Sequence, residues 1–591
     1  MNEKWILKNN KDNFEKLKVK LPKSLENEDP YKQLLILRLL ANRGISSISD
    51  SEKFLTGDYK DFYSPFLLKD MDKAIDILEK GIKDNKKIAI YGDYDCDGVI
   101  STVILNKALK EVNANYMYHI PDREEEGYGM HKGRVQKLKD IGIDIILTCD
   151  NGIAAVEEVQ LAKDLGMQVI ITDHHDIPNI VPNADAIVNH KQKDCPYPFK
   201  SLCGAGVALK LSQALFQRFG INEEKYIDLI EYAAIATVCD VVDLLDENRI
   251  IVKKGLEMLN NTQNKGLQEL IKVTNIKEGC INEYHLGFVI GPCINATGRL
   301  ESASLSVELL LEENEEEATR LANTLHELNQ KRQELTQEST ERIIENIELT
   351  RDKNEKVIVV YDEHIHESIA GIVAGRVREK FNLPCIVLSK GKDMPKGSAR
   401  SIDGYNLFEE LTKCKEVLFK FGGHPMAAGL SLKEENIDKL RKMINEKCTL
   451  TDDDIIPIVP IDSPLTLEQI DFKLLELING LRPFGKGNST PGFAVKGAFM
   501  ERIWAIGKEK NILKCRFKLK NGLSIDGISF DKLEFLKDEL VEENRESEFN
   551  QIIMNSYSNL KVDLIFYPDI NEFRGQKNIQ LMIKNIRLCK E

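Results

Sequence analysis

At 591 residues the chain is too long for a single hydrophobic core, so several domains are expected. Apolar residues make up 42%, which excludes a disordered protein, and no apolar run approaches the length of a membrane span, so no membrane partner is expected. The net charge of −14 excludes a surface that is basic throughout, and a polyanionic partner would need a local positive track.

The N-terminus, MNEKWILKNNKDNFEK, is charged and polar rather than a secretory signal, and a cytoplasmic location is expected. The twelve cysteines are scattered from Cys96 to Cys589 with no Cys-x-x-Cys pair. That pattern predicts reduced, mostly buried thiols instead of a disulfide framework or a structural zinc site. Cys96, Cys149 and Cys239 each adjoin an aspartate and read as small buried fillers.

Residues 1–75 read as a polar helical extension with an apolar stripe through Leu34, Leu35, Leu37, Leu39 and Leu40. From Lys87 the pattern alternates between strands and helices. KIAIYGDYD, ANYMYHIPD, IDIILTCDNG and MQVIITDHHD are short apolar, β-branched runs that each end in polar residues. Such runs with helical crossovers predict an α/β domain over 76–300 with a parallel sheet covered on both faces. Functional residues then collect beyond the carboxyl ends of the strands. Residues 301–350 are charged and keep one apolar face through Ala318, Leu321, Ala322, Leu325 and Leu328, then Ile343, Ile344 and Ile347. They predict a long linking helix with a break near Thr336–Thr340. A smaller α/β lobe is expected over 351–455, from the strand-like VIVVYD and PCIVLS. Over 456–591 strand-like runs such as FAVKGAFMERIWAIG and LKVDLIFYPDI predict an OB-like β-barrel of the kind that binds single strands.

The chemistry begins at Asp93-Tyr94-Asp95-Cys96-Asp97-Gly98. Alternate aspartates after an apolar strand repel one another and resist burial, so a cation is their natural partner; the competing reading is a solvated turn. Asp150, in Thr148-Cys149-Asp150-Asn151-Gly152, also follows an apolar strand, where a turn or helix cap competes. Asp173-His174-His175 sets a carboxylate beside two imidazoles, a donor mix suited to Mn²⁺, against the alternative of a surface histidine pair. Asp240 lies within the apolar run AAIATVCDVVDLLD, where a carboxylate is costly unless paired or coordinated, with Asp243 as its local competitor.

Taken in order, these four elements resemble the DHH phosphoesterase superfamily. GYGM (127–130), PYPFKSLCGAGVALKL (196–211), INATGRL (294–300), GIVAGRV (371–377), GSARSIDGYNL (397–407), FGGHPMAAGLS (421–431) and PFGKGNSTP (483–491) extend the likeness to its RecJ family of single-strand-specific exonucleases. The resemblance implies Mn²⁺ or Mg²⁺ as a pair of ions. Asp97, Asp150, His174 and Asp240 would hold one, and Asp95 and Asp150 the other. His175 would lie near the scissile phosphate, with Asp93 and Asp173 behind the ligands. Two ions about 3.5–4 Å apart clamp the attacking and leaving oxygens of an in-line displacement, so cleavage needs no nucleophilic side chain.

The resemblance also places Arg299 and Asn295 at the scissile phosphate and Arg123, Ser398 and Arg400 at the 5′-terminal phosphate. Arg376 would meet a base or phosphate, and His424 is either a strand clamp or a loop histidine. It implies 5′→3′ release of mononucleotides from single-stranded DNA in repair and recombination, with single-strand-binding protein and a helicase as partners. The rival is a DHH phosphodiesterase acting on short oligoribonucleotides or dinucleotides. Two segments depart from the family pattern. Cys293 stands where an Arg is usual in Gly291-Pro292-Cys293-Ile294-Asn295, and Ile365-His366-Glu367-Ser368 replaces a Trp-His-x-Gly segment.

Overall fold

The computed structural model describes residues 3–123, 126–127, 129–573 and 575–589. The fold forms two compact units, the first built mainly from Tyr63–Val242 and Lys254–Pro457. The second joins Lys4–Phe62 and Asp243–Lys253 to the chain from Ile458 onward.

In the first unit, five strands lie in the order Asn115–His119, Lys87–Tyr91, Ile145–Cys149, Gln168–Thr172, Ala186–Val188, and every pairing is parallel. Numbered along the chain this is 2-1-3-4-5, which reverses direction between strands 1 and 3. In such sheets the crevice beyond the carboxyl ends at that reversal is the natural binding site. Ile145–Cys149 is buried along its whole length, as expected of a strand covered on both faces. Val135, Leu138, Val159 and Ala162 from the helices Lys132–Asp140 and Val156–Asp164 join the core on one side. Full burial of Val135, Leu138 and Val159 contributes about 1.5–3 kcal/mol each.

The helix Glu315–Thr350 runs unbroken for 36 residues, about 54 Å. The break expected near Thr336–Thr340 does not occur. Thr336 and Thr340 are buried on the packed face of the helix, and their hydroxyls are satisfied by the carbonyls of Arg332 (2.7 Å) and Thr336 (2.6 Å), at a small cost in helix stability. A second five-stranded sheet follows, ordered Lys420–His424, Ala427–Ser431, Lys396–Arg400, Cys385–Ser389, Ile358–Tyr361. Among the described residues, no helix is long and apolar enough to cross a membrane.

In the second unit, Phe493–Ile506, Ile512–Lys518, Ser524–Ser529, Gln576–Leu588 and Tyr557–Phe573 pair in sequence. The additional pairing of Phe493–Ile506 with Tyr557–Phe573 closes them into a barrel. The N-terminal segment does not stand apart as an extension. Lys4–Leu7 pairs in parallel with Ile458–Ile461, and Leu35, Ile36, Leu37, Leu39 and Leu40 join the core shared with barrel residues such as Phe493 and Phe566. Within the expected stripe, Leu34 is exposed and Ile36 takes its place in the core.

Candidate metal centre and nucleic-acid cleft

The ends of the first, third and fourth strands of the parallel sheet carry Asp93, Asp150 and Asp173. Asp150 adopts φ +62°, a left-handed conformation that Asp tolerates better than most residues. Gly98, just inside the first crossover helix, leaves room for Asp93, whose Cβ would lie 2.6 Å from a Cβ at that position. Asp95 caps the helix Cys96–Glu111 by accepting from the Gly98 N–H at 3.0 Å. Asp97 accepts from the Gly204 and Ala205 N–H groups at 2.6 and 2.8 Å, at the start of the helix Gly204–Phe219. That helix end favours negative charge. Asp240 sits at the end of the helix Ile230–Cys239, not within it. The next residue, Val241, has φ +55°, a strained conformation for a β-branched side chain costing about 1–3 kcal/mol.

The fold brings these side chains together. His174 Nε2 lies 3.1 Å from Asp150 Oδ1 and 3.6 Å from Asp97 Oδ2, and its Nδ1 lies 3.7 Å from Asp240 Oδ2. Three sets of donor atoms each fall within 4.8 Å of one another: Asp97, His174 and Asp240; Asp150, His174 and His175; and Asp93, Asp95 and Asp150. Asp93, expected behind the ligands, is thus a member of a possible ligand set, and Asp243 belongs to none among the described residues.

The donor set fits divalent cations. Burial, then repulsion from neighbouring carboxylates, pushes Asp93 and Asp150 well above the ordinary carboxylate range, Asp97 to about 6 and Asp240 to about 8. Asp93 Oδ1 and Asp240 Oδ2 are buried without a hydrogen bond among the described residues. Burial and the neighbouring His175 hold His174 down to about 3, leaving a neutral imidazole able to coordinate. Burial also disfavours charge on His175, but its hydrogen bond to Asp173 and the charges of Asp173, Asp240 and Asp97 raise it to about 9.

Asp173 is fully committed to support. Its Oδ1 accepts from the His174 N–H (2.7 Å), the His175 N–H (3.0 Å) and His175 Nδ1 (2.7 Å), while Oδ2 accepts from the Ile153 N–H at 2.9 Å. Asn151, which sequence reasoning passed over, donates to the carbonyls of Tyr91, Gly92 and Cys149 and ties the first and third strand ends together.

A cavity of about 870 Å³ is lined by Arg123, Arg299, Ser398 and Arg400, together with Lys396, Lys420 and Glu367. Arg123 packs over the Tyr94 ring at 4.9 Å. Arg299 donates to the Ser368 carbonyl at 2.5 Å; burial, then repulsion from Arg123 and Arg332, lowers it to about 10. Asn295 accepts from the Cys96 N–H at 2.9 Å and so pins the loop carrying Asp95 and Asp97. Arg400 leans on Ala399 O (2.8 Å) and Ser398 Oγ (3.3 Å). Lys396 was not singled out from sequence, though Lys396, Ser398 and Arg400 alternate along one strand and so share a face.

Two expected substrate residues lie away from this cavity. Arg376 donates to Gln337 Oε1 at 3.0 Å and lines a different cleft. His424 ends an edge strand instead of sitting in a loop, is exposed, and comes no closer than 3.9 Å to Asp176. Of the departing segments, Cys293 is buried and accepts from Asn329 Nδ2 at 3.5 Å, and Ser368 supplies the carbonyl that holds Arg299. In the GYGM segment, Tyr128 lies outside the described residues.

Comparison with known proteins agrees with this architecture. The DHH family N-terminal domain matches residues 87–237, the DHHA1 domain 354–450 and the RecJ OB domain 461–585. The single-stranded-DNA-specific exonuclease RecJ of Bacillus subtilis (strain 168) is 40% identical over 555 residues, spanning 93% of this chain and 67% of that protein. Its counterpart in Dickeya dadantii (strain 3937) is 32% identical over 575 residues, or 93% of this chain and 96% of that one. The crystal structure of RecJ in complex with Mn²⁺ from Thermus thermophilus superposes with a TM-score of 0.80 at 25% identity, covering 100% of this chain and 80% of that one. Carboxylates and imidazole at the sheet reversal, an arginine-lined cavity in the same unit, a closed barrel, and a relative at 32% identity matched over 96% of its length lead to one assignment: the chain belongs to the RecJ family of DHH exonucleases.

Proposed function

We propose that the protein is a metal-dependent exonuclease that hydrolyses single-stranded DNA from the 5′ end and releases mononucleotides. The observation that carries the reading is the grouping of Asp93, Asp95, Asp97, Asp150, His174 and Asp240 in one unit with the arginine-lined cavity. The relatives named as single-stranded-DNA-specific exonucleases support the substrate class.

Asp97, Asp150, His174 and Asp240 would hold one divalent ion, Mn²⁺ or Mg²⁺, and Asp95 and Asp150, joined by Asp93, the other. When bound, the ions supply Lewis acidity and hydroxide at neutral pH. The chain's own residues do the rest. Asp173 fixes the orientation of His175, whose charged imidazole faces the scissile phosphate. Arg299 neutralises that phosphate, and Asn295 steadies the carboxylate loop. Arg123, Ser398 and Arg400 engage the 5′-terminal phosphate, for which the planar guanidinium fork is suited.

The matching organisation is a catalytic domain over 76–300, a linking helix over 301–350, a DHH-associated domain over 351–455 and a strand-binding barrel over 456–591. Work in repair and recombination beside single-strand-binding protein and a helicase, in the cytoplasm, completes the reading. It is tested with end-labelled single strands in Mg²⁺ and then Mn²⁺. A 5′ label is expected in mononucleotide from the first time points, while a 3′ label stays in shortening strands. Turnover of a dinucleotide with no attack on the long strand would instead assign the chain to the short-substrate phosphodiesterases.

A further inference from the structure

Resting on that reading, we propose that Glu126, gripped by His119 and Arg134, is a latch: the positioning residue that sets Arg123 against the 5′-terminal phosphate. Glu126 directly precedes the GYGM segment, in the loop between the strand Asn115–His119 and the helix Lys132–Asp140. Asp122 O accepts from the Glu126 N–H at 2.9 Å and from the Gly127 N–H at 3.1 Å. Arg123 therefore lies inside a closed turn whose far end is Glu126. Gly127, at φ +79°, supplies the left-handed residue that lets the turn close.

The Glu126 side chain reaches both flanks of the loop. His119 Nε2 lies 3.1 Å from Glu126 Oε2, and since an ionised carboxylate only accepts, the imidazole is the donor. Arg134 adds a two-pronged grip, Nη2 to Oε1 at 2.7 Å and Nε to Oε2 at 3.3 Å. The Glu126 and His119 side chains are only 10% and 13% exposed, so salt screens their contact weakly. Burial would raise Glu126, but Arg134 and His119 hold it below the ordinary carboxylate range. Burial lowers His119, which leaves a neutral ring.

The latch stands on the sheet that carries the candidate metal centre. The His119 ring meets the Tyr91 ring edge-on at 5.0 Å, and the two residues pair across neighbouring parallel strands. Tyr91 OH also accepts from the His131 N–H at 3.3 Å, which fastens the other end of the loop. Tyr91 lies two residues before Asp93, so both fastenings hold Arg123 in register with the carboxylates. The Tyr94 ring, 4.9 Å from the Arg123 guanidinium, steadies its plane, while the latch fixes the backbone from which it reaches. Pairing with Arg134 also neutralises Glu126, whose charge would otherwise repel an arriving phosphate.

The test compares 5′-phosphorylated with 5′-hydroxyl oligothymidylates of one length. It is read as the ratio of their kcat/KM in Mn²⁺ and as the ratio of their affinities in Ca²⁺. Damage to folding lowers both strands alike and cancels in each ratio. Glu126→Ala should lower the ratios by up to about 100-fold, the cost of misplacing a contacting group by about 1 Å. Glu126→Gln, which keeps an acceptor for Arg134, should recover part of the loss. In an Arg123→Ala background, Glu126→Ala should change the ratios by less than about 2-fold, because it acts through Arg123. Wild-type ratios in Glu126→Ala, or the same loss with and without Arg123, overturn the latch and leave the exonuclease reading intact. Affinity ratios that follow the expected pattern without any hydrolysis support the latch and overturn the exonuclease reading. Wild-type ratios near one overturn the latch, since no 5′ phosphate is then being read.

Discussion

A Cβ added to Gly204 would lie 2.6 Å from the Cβ of Asp150 and 2.7 Å from its Oδ1. The same Gly204 donates its N–H to Asp97, so one glycine lets a helix end approach two of the candidate ligands at once. Gly204→Ala must push Asp150 aside or draw the helix back. An error near 1 Å in such a site costs about 100-fold in rate. We expect a loss of that order in Mn²⁺-dependent cleavage, with strand binding retained. Wild-type cleavage by Gly204→Ala would show that Asp150 is not confined by this contact.

Asp150→Asn keeps the left-handed backbone at φ +62° and the shape of the side chain but removes its charge. Divalent-dependent hydrolysis should disappear while affinity for single strands stays near wild type. Asp173→Asn tests the support beneath the histidines. It preserves the acceptor for the His174 and His175 N–H groups but loses the charge that raises His175 to about 9. Activity should fall about 10- to 100-fold, and its alkaline limb should move to lower pH. An unshifted limb would exclude His175 as the group that Asp173 holds charged.

Metal-free protein should lose stability as pH rises from about 6.5 to about 9. Asp240, raised to about 8, and Asp93 and Asp150, also raised, favour the folded state while protonated and lose that contribution as they ionise. His175, raised to about 9, changes in the same direction. His174 and His190, held down to about 3 and about 4, act in the opposite sense, but their effect is complete above about pH 6.5. Mn²⁺ at a hundred times its Kd should add about 2.7 kcal/mol and flatten the pH dependence. Calorimetry in chelator and then in Mn²⁺ checks this. A pH-independent Tm in chelator would mean that the carboxylates do not repel one another.

Much of the site was readable because Asp93, Asp150 and Asp173 follow short β-branched runs, and period and length mark where a strand stops; Asp240 instead ends a helix. What escaped depends on contacts that no local pattern encodes. Lys4–Leu7 finds Ile458–Ile461 from the far end of the chain, which turns an apparent extension into part of the barrel unit. Asp93 and Asp173 both follow apolar strands. Only the hydrogen bonds that Asp173 accepts from the His174, His175 and Ile153 N–H groups and from His175 Nδ1 separate a supporting carboxylate from one whose Oδ1 lacks such bonds. The long helix continues through Thr336 and Thr340 because both side chains are buried on its packed face with their hydroxyls satisfied, a tertiary effect that propensity does not register.

Arg400 separates recognition of the strand end from chemistry. Its Nη1 donates to Ser398 Oγ and Ala399 O, both neutral, and burial, then the nearby Arg378, lowers it, so an arriving phosphate supplies it with a charge partner. Gly371 sits against this pair, since a Cβ there would meet Arg400 Nη2 and Ser398 Oγ at 2.8 Å each. A charge-assisted hydrogen bond contributes about 1.5–3 kcal/mol, or roughly 10- to 150-fold. Arg400→Ala should therefore reduce the preference for 5′-phosphorylated over 5′-hydroxyl strands by about that factor in kcat/KM. Arg400→Lys should recover part of it, because the charge returns without the fork. Gly371→Ala should reproduce the loss in milder form by displacing the guanidinium. Should all three variants keep the wild-type preference, the 5′ phosphate must be read elsewhere, and Arg123 becomes the next residue to replace.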